Sequence, residues 1–260
     1  LMTFAARLRE LTTLVSDLSF RHVTSRLAKL LLKYGEGSGD RPTYLTQQEM
    51  AAMVGTVREV VSRSLRVLEI LADATNTIAE GEVLQLVSQR DTSTPEATYL
   101  EVIRAKTAKL FAAAAEVGAM VAGRNGPERV ALESFGMNLG IAFQLIDDVL
   151  DYGGTSAELG KNVGDDFREG KITLPIVLAY RRASEGERGF WRRTLQQGEI
   201  GETDLETALD LLQRHGALEE TVARAHHYGA EARAALDIFP DGPVKAALIG
   251  AVEFCVARAR

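Results

Sequence analysis

The chain has 260 residues, with 36 acidic against 30 basic side chains, 23 Gly, 6 Pro and one Cys. Apolar residues make up 46% and charged residues 25%, which excludes a disordered or collagen-like chain and leaves one large domain or two ordinary ones. The lone Cys255 excludes an internal disulfide framework, and no apolar run approaches the roughly 18 to 20 residues of a membrane span. A soluble, cytoplasmic, globular protein is therefore expected. The chain opens at Leu1 with neither an initiator Met nor a secretory signal, as a fragment would.

Charge is unevenly spread. Residues 1–69 carry 10 Lys and Arg against 7 Asp and Glu, whereas residues 70–260 carry 20 against 29. Opposite signs in two segments suggest two units with different partners, although a mildly basic helical surface looks the same.

Taken in chain order, almost every element reads as helix. Leu27, Leu30, Leu31 and Tyr34 recur at spacings of three and four, and the pattern breaks at the Gly-rich stretch 35–42. Small strands are conceivable only near residues 42–45. Thr46 stands three residues before Glu49, the spacing of a capping box, and a further helix begins near Thr56. Thr94-Pro95-Glu96 reads as an N-cap with Pro at the first helical position. Breaks are expected at Gly123–Pro127, Gly153-Gly154, Gly198–Gly201, Gly216 and Pro240–Pro243. The expected fold class is all-α.

The stretch from Leu45 to Arg63 has the features of a helix-turn-helix. Ala51 is small enough for two helices to approach, Gly55 suits a turn with positive φ, and Val61 can pack back on the first helix. Arg58, Glu59, Ser62 and Arg63 then face outward, as residues reading base edges in a major groove would. A solvated amphipathic helix is the alternative. With Leu18–Val23 and Arg26-Leu27-Ala28 upstream, residues 4–69 resemble the C-terminal winged-helix domain of the cyclic-AMP receptor/fumarate-nitrate regulator family. That resemblance implies DNA contact through residues 46–63, with Arg58, Glu59 and Arg63 on bases. The wing, the effector-binding β-roll and most of the dimerisation helix have no counterpart, so affinity for a lone half-site should be poor.

Phe143–Tyr152 carries a second pattern. At roughly 100° per residue, Gln144, Asp147, Asp148 and Asp151 share one helix face, and Phe143, Ile146, Val149 and Leu150 cover the other. Like charges three and four apart repel, so a cation is expected nearby; an acidic solvated face is the alternative. Hard divalent ions such as Mg²⁺ take carboxylate oxygens and leave positions for phosphate oxygens. Lys106-Thr107, Gly160-Lys161 and Gly170-Lys171 supply the point charges and hydroxyl that a diphosphate would use.

With Glu80-Gly81-Glu82, Lys106-Thr107-Ala108, Gly140–Tyr152, Leu159–Asp166 and Gly170–Pro175, residues 64–260 resemble the trans-polyprenyl diphosphate synthases. The resemblance implies an isoprenoid-synthase helical bundle, in partial form, and condensation of an allylic diphosphate with isopentenyl diphosphate. Asp147, Asp148 and Asp151 would hold Mg²⁺, with Lys106, Lys161 and Lys171 on the allylic diphosphate. Phe143 is placed with the substrate, and Thr107 and Gln144 near its first carbon. Homodimerisation is expected on the same ground. The family's first aspartate-rich motif and its early Gly-Lys-Arg segment have no counterpart, which predicts little chain elongation. The hexapeptide Ser64–Glu69 fits both resemblances, so a chimera joined there is expected, with units 1–69 and 64–260.

The remaining conspicuous residues read as structural. His226 and His227 are adjacent and share no helix face, Cys255 belongs in a core, and Phe190-Trp191 among Arg188, Arg192 and Arg193 fits an amphipathic helix.

Overall fold

The computed structural model describes residues 22–36, 44–153 and 163–258. Among the described residues every regular element is helical, and residues 44–46 form no strand. Packing divides the chain into two compact units, Leu1–Asp73 and Ala74–Arg260.

In the first unit, α1 spans Val23–Glu36 and α2 spans Gln47–Val54. The long α3, Arg58–Ser88, starts in this unit, and its residues from Ala74 onward belong to the second. The Thr46 capping box forms: its hydroxyl accepts from the Glu49 N–H, and the Glu49 carboxylate accepts from the Thr46 N–H. α2 ends at Gly55, whose φ of 67° is left-handed, and the Thr56 N–H closes the end on the Ala51 carbonyl at 2.9 Å. Among the described residues of this unit, Leu27, Ala51, Val54 and Val61 form the buried core. Val61 and Ala51 thus pack as their positions imply. Arg58, Glu59 and Arg63 are exposed and Ser62 is half-buried. Of the upstream part of that resemblance, residues 18–21 lie outside the described residues, as do residues 1–17, and Val23 and Arg26–Ala28 lie on α1.

The second unit continues with α4 (Glu96–Ile103), a π-helical turn (Arg104–Ala108), α5 (Lys109–Val121) and α6 (Pro127–Gly153). Beyond it come α7 (Asp165–Glu169), α8 (Leu174–Arg182), α9 (Glu185–Trp191) and a second π-helical turn (Arg192–Gln196). The last three helices are α10 (Asp204–Arg214), α11 (Ala217–Ala235) and α12 (Pro243–Ala257). The breaks at Gly198–Gly201 and Gly216 fall between elements, and those at Gly123–Pro127 and Pro240–Pro243 end on the first residue of the next helix. Gly35 and Gly153, in contrast, still belong to the ends of α1 and α6, and Pro95 caps α4 instead of entering its first turn. Residues 37–42 and Gly154 lie outside the described residues. Trp191 is fully buried with Phe167 and Leu195, and Cys255 is buried, as expected of core residues.

α6 is the axis of this unit and packs chiefly against α5 and α11. Glycine sets how closely it does so. A Cβ added at Gly140 would lie 2.5 Å from the Ala108 Cα, and one at Gly81 would lie 2.7 Å from the Lys106 backbone nitrogen. Both glycines therefore hold neighbouring backbones against the turn that carries Lys106 and Thr107. No helix among the described residues is long and apolar enough to cross a membrane. Gly140→Ala is expected to destabilise the protein by about 1–3 kcal/mol, because the added methyl must push α6 off the π-helical turn. Urea unfolding of the two proteins measures this, and an unchanged midpoint would contradict the packing described.

Candidate active site

Four chain segments meet at one cavity of about 310 Å³. α3 contributes Gln85 and Ser88; α4 and the turn after it contribute Tyr99, Lys106 and Thr107; α6 contributes Gln144, Asp147, Asp148 and Asp151; and the loop around α7 contributes Asp166 and Lys171. Val102, Leu150 and Ile172 supply apolar wall.

The π-helical turn inserts one extra residue, with the Lys109 N–H reaching back to the Arg104 carbonyl five residues before it. Lys106 and Thr107 lie in that turn. The Lys106 ammonium donates to Glu82 at 2.9 Å and to Gln85 at 2.7 Å. The Thr107 hydroxyl donates to the Gln144 side-chain oxygen at 2.9 Å. Gln144 in turn donates its amide to Asp148 Oδ1 at 2.8 Å, and the Tyr99 hydroxyl donates to Asp148 Oδ2 at 2.6 Å. A four-membered chain thus joins α4, the turn and α6.

The three aspartates are not equivalent. Asp148 is 3% exposed and both its oxygens are engaged by protein donors. Asp147 and Asp151 are half-buried on the cavity wall. Asp151 accepts from the Asp166 N–H at 3.2 Å. On the far side, Lys171 is held by Asp166 at 2.8 Å and Glu169 at 2.7 Å. Gly170, with φ of 74°, turns the chain so that Lys171 faces back to the cavity, and this loop is held by the Gln89 amide on the Glu169 carbonyl.

Sequence position alone did not mark Tyr99, Gln85, Glu82 or Asp166 as site residues. Tyr99 stands seven residues before Lys106, a same-face spacing that would have found it. Glu82 and Asp166 stand in motifs that carry the family resemblance, which assigns neither a role. Phe143 is not among the lining residues: it packs against Phe111, ring centroids 5.5 Å apart, and under the Arg258 guanidinium. Being one residue before Gln144 turns it off the aspartate face. Lys161 lies outside the described residues.

Electrostatics follow from this burial. Desolvation pushes Asp148 up to about 7, against the opposing hydrogen bonds from Tyr99 and Gln144, and nearby Asp166 and Asp147 add to the rise. Asp151 is pushed up to about 6, by burial and then by Asp166. Burial opposes the charge of Lys171, yet its bonds to Asp166 and Glu169 outweigh that and raise it. Among the described residues no three acidic, imidazole or thiol side chains converge tightly enough to hold a metal by themselves. Two wall carboxylates do match what Mg²⁺ asks of a protein when phosphate and water supply the remaining oxygens.

Both raised carboxyls favour the fold in their protonated form. Their contribution to stability is full below an unfolded value near 3.8 and is lost as pH rises through about 6 and 7. In chelator, the melting temperature of the apoprotein is therefore expected to fall between pH 5 and pH 8 and to fall less in Asp148→Asn. A slope unaffected by that substitution would contradict the burial of Asp148.

Comparison with known proteins shows the family. The family model "Polyprenyl synthetase" matches residues 38–212, so the match includes the segment 46–63 as well as the cavity. The octaprenyl diphosphate synthase of Escherichia coli (strain K12) is 45% identical over 197 residues, which are 76% of this chain and 61% of that protein. The all-trans-nonaprenyl-diphosphate synthase (geranyl-diphosphate specific) of Rhodobacter capsulatus is 40% identical over 192 residues, 74% of this chain and 58% of its own length. The chain thus spans about three fifths of the curated relatives it matches. Among solved structures, polyprenyl synthase from Caulobacter crescentus CB15, complexed with calcium and isoprenyl diphosphate, superposes with a TM-score of 0.73 at 40% identity. That superposition covers 95% of this chain and 78% of the other. The chain belongs to the polyprenyl synthetase family.

Proposed function

We propose that the second unit binds an allylic diphosphate with Mg²⁺ and serves the polyprenyl-diphosphate-synthase reaction, in which that allylic group is transferred to isopentenyl diphosphate. The observation that carries this reading is the convergence of Asp147 and Asp151 with Lys106 and Lys171 on one cavity. Asp147 and Asp151 would hold Mg²⁺, which when bound neutralises charge on the departing diphosphate. Lys106 and Lys171 add point charges to the same end, once released from Glu82, Asp166 and Glu169. The allylic carbon–oxygen bond breaks, a carbon–carbon bond forms to isopentenyl diphosphate, and a proton leaves the new product. No covalent enzyme intermediate is needed, so the protein acts by preorganised charge. Thr107 and Gln144 stand where the first allylic carbon would lie, and Lys161 joins the diphosphate set by family resemblance.

Two finer points belong to the same proposal. Elongation by this chain is slow, because the 260-residue sequence holds no second aspartate-rich motif of the kind seen at residues 147–151. The chain pairs with a second copy, an expectation supported by Val83, Leu86 and Val87, which are exposed together at helical spacing on α3.

A second reading rests on a separate observation. The tight turn at Gly55 leaves Arg58, Glu59 and Arg63 exposed at the start of α3, an arrangement a duplex-reading helix uses. Nothing in the comparisons favours it, and the chimera joined within Ser64–Glu69 stands or falls with it.

The two readings separate by paired substitutions. Asp147→Asn should weaken Mg²⁺-dependent binding of inorganic diphosphate at least about tenfold in calorimetry and leave fluorescence anisotropy with palindromic DNA unchanged. Arg58→Ala should do the reverse. Diphosphate binding that ignores Mg²⁺ and Asp147 would overturn the enzyme reading, and incorporation of labelled isopentenyl diphosphate at a normal turnover would overturn the slow elongation.

A further inference from the structure

The chain Tyr99–Asp148–Gln144–Thr107 has a direction. A buried carboxylate accepts, so Asp148 takes hydrogens from both of its neighbours: the Tyr99 hydroxyl at 2.6 Å and the Gln144 amide nitrogen at 2.8 Å. With its nitrogen committed to Asp148, Gln144 must turn its oxygen toward Thr107. That oxygen takes the Thr107 hydrogen at 2.9 Å. What Thr107 has left for the cavity is therefore lone pairs, not a donor. This differs from the expectation that the hydroxyl donates to a diphosphate.

Tyr99 holds the far end of this chain. Its ring is 4% exposed within the main core of the second unit, beside Ile103 and Leu145, so its hydroxyl has a fixed origin. Without that donor, Asp148 would keep a buried oxygen unpartnered, which costs free energy and favours rotation or another set of partners. Gln144 would then lose the fixed acceptor that sets which way its amide points. Asp148 lines the same cavity but is almost wholly buried with both oxygens taken, unlike Asp147 and Asp151.

Resting on the proposed diphosphate site, we infer that Tyr99 is a positioning residue: through Asp148 and Gln144 it turns the Thr107 oxygen toward the cationic, allylic end of the substrate, and Asp148 serves this chain and not the metal. Tyr99, Asp148 and Gln144 are thus one device that sets the polarity of a hydroxyl they do not all touch. The diphosphate end is served separately by Lys106, Lys171, Asp147 and Asp151.

Two probes distinguish the ends. Inorganic diphosphate with Mg²⁺ reports the anionic end, and an allylic amine added to that saturated complex reports the cationic end, both by calorimetry at pH 8. Tyr99→Phe, which keeps the ring and removes the hydroxyl, should weaken amine binding about fivefold or more and leave diphosphate binding within about twofold. Thr107→Val should weaken the amine similarly, and the double variant should lose no more than Thr107→Val alone, because both act through one chain. Additive losses, equal weakening of both probes, or an amine affinity unchanged in Tyr99→Phe would each overturn the inference. Failure of the unsubstituted protein to bind diphosphate with Mg²⁺ would instead overturn the proposed site, and the inference with it.

Discussion

The approach of α6 to the π-helical turn is the contact on which the site depends. Gly140 lets the α6 backbone lie against Ala108, and Gly81 lets α3 lie against Lys106. Side chains as short as Thr and Gln can then bridge the helices directly, and Thr107 meets Gln144 at 2.9 Å. A methyl group at either glycine would meet that backbone at under 3 Å, so the packing that brings these side chains together would have to shift. The extra residue in the turn matters for the same reason. It directs Lys106 at α3 and Thr107 at α6, so two consecutive residues serve two different neighbours.

Charge is the second constraint. An uncompensated carboxylate is costly where water is excluded, and Asp148 is almost wholly enclosed. The fold meets this with two donors on Asp148, a backbone N–H on Asp151 and an ammonium on Asp166. Asp147 and the second oxygen of Asp151 take no donor among the described residues, so that part of the wall is open to a cation. The lysines are held by Glu82, Asp166 and Glu169, which places them before a ligand arrives. Diphosphate has to displace these carboxylates. The exchange is modest in cost because the pairs are a third to a half exposed on at least one side, where ion pairs contribute little.

Much of this was legible in the residues. The Thr46–Glu49 spacing and Gly55 state the boundaries of α2 because capping and left-handed turns are local chemistry. The shared face of Gln144, Asp147, Asp148 and Asp151 follows from helical periodicity, and the Gly-rich breaks follow from backbone freedom. What periodicity could not distinguish was depth. Asp147 and Asp148 are neighbours in sequence and both line the cavity, yet Asp147 is half-buried while Asp148 is almost wholly enclosed and takes the Tyr99 hydroxyl of α4 and the Gln144 amide. Phe143 was drawn to the substrate by its neighbours, whereas the register of α6 gives it to Phe111 and Arg258. The π-helical turn leaves no sequence mark of its own, and its consequences for Lys106 and Thr107 appear only in three dimensions.

The central claim is that Asp147 and Asp151 are the metal-facing carboxylates and that Lys106 and Lys171 grip the diphosphate. A crystal structure of the chain grown with Mn²⁺ and inorganic diphosphate tests it most directly, since the anomalous signal of Mn²⁺ locates the metal without assumption. The account predicts an anomalous peak within about 2.5 Å of Asp147 or Asp151 oxygens, none bonded to Asp148, and diphosphate oxygens in hydrogen-bond reach of both lysines. A metal ligated by Asp148, or a diphosphate bound away from Lys106 and Lys171, would contradict it.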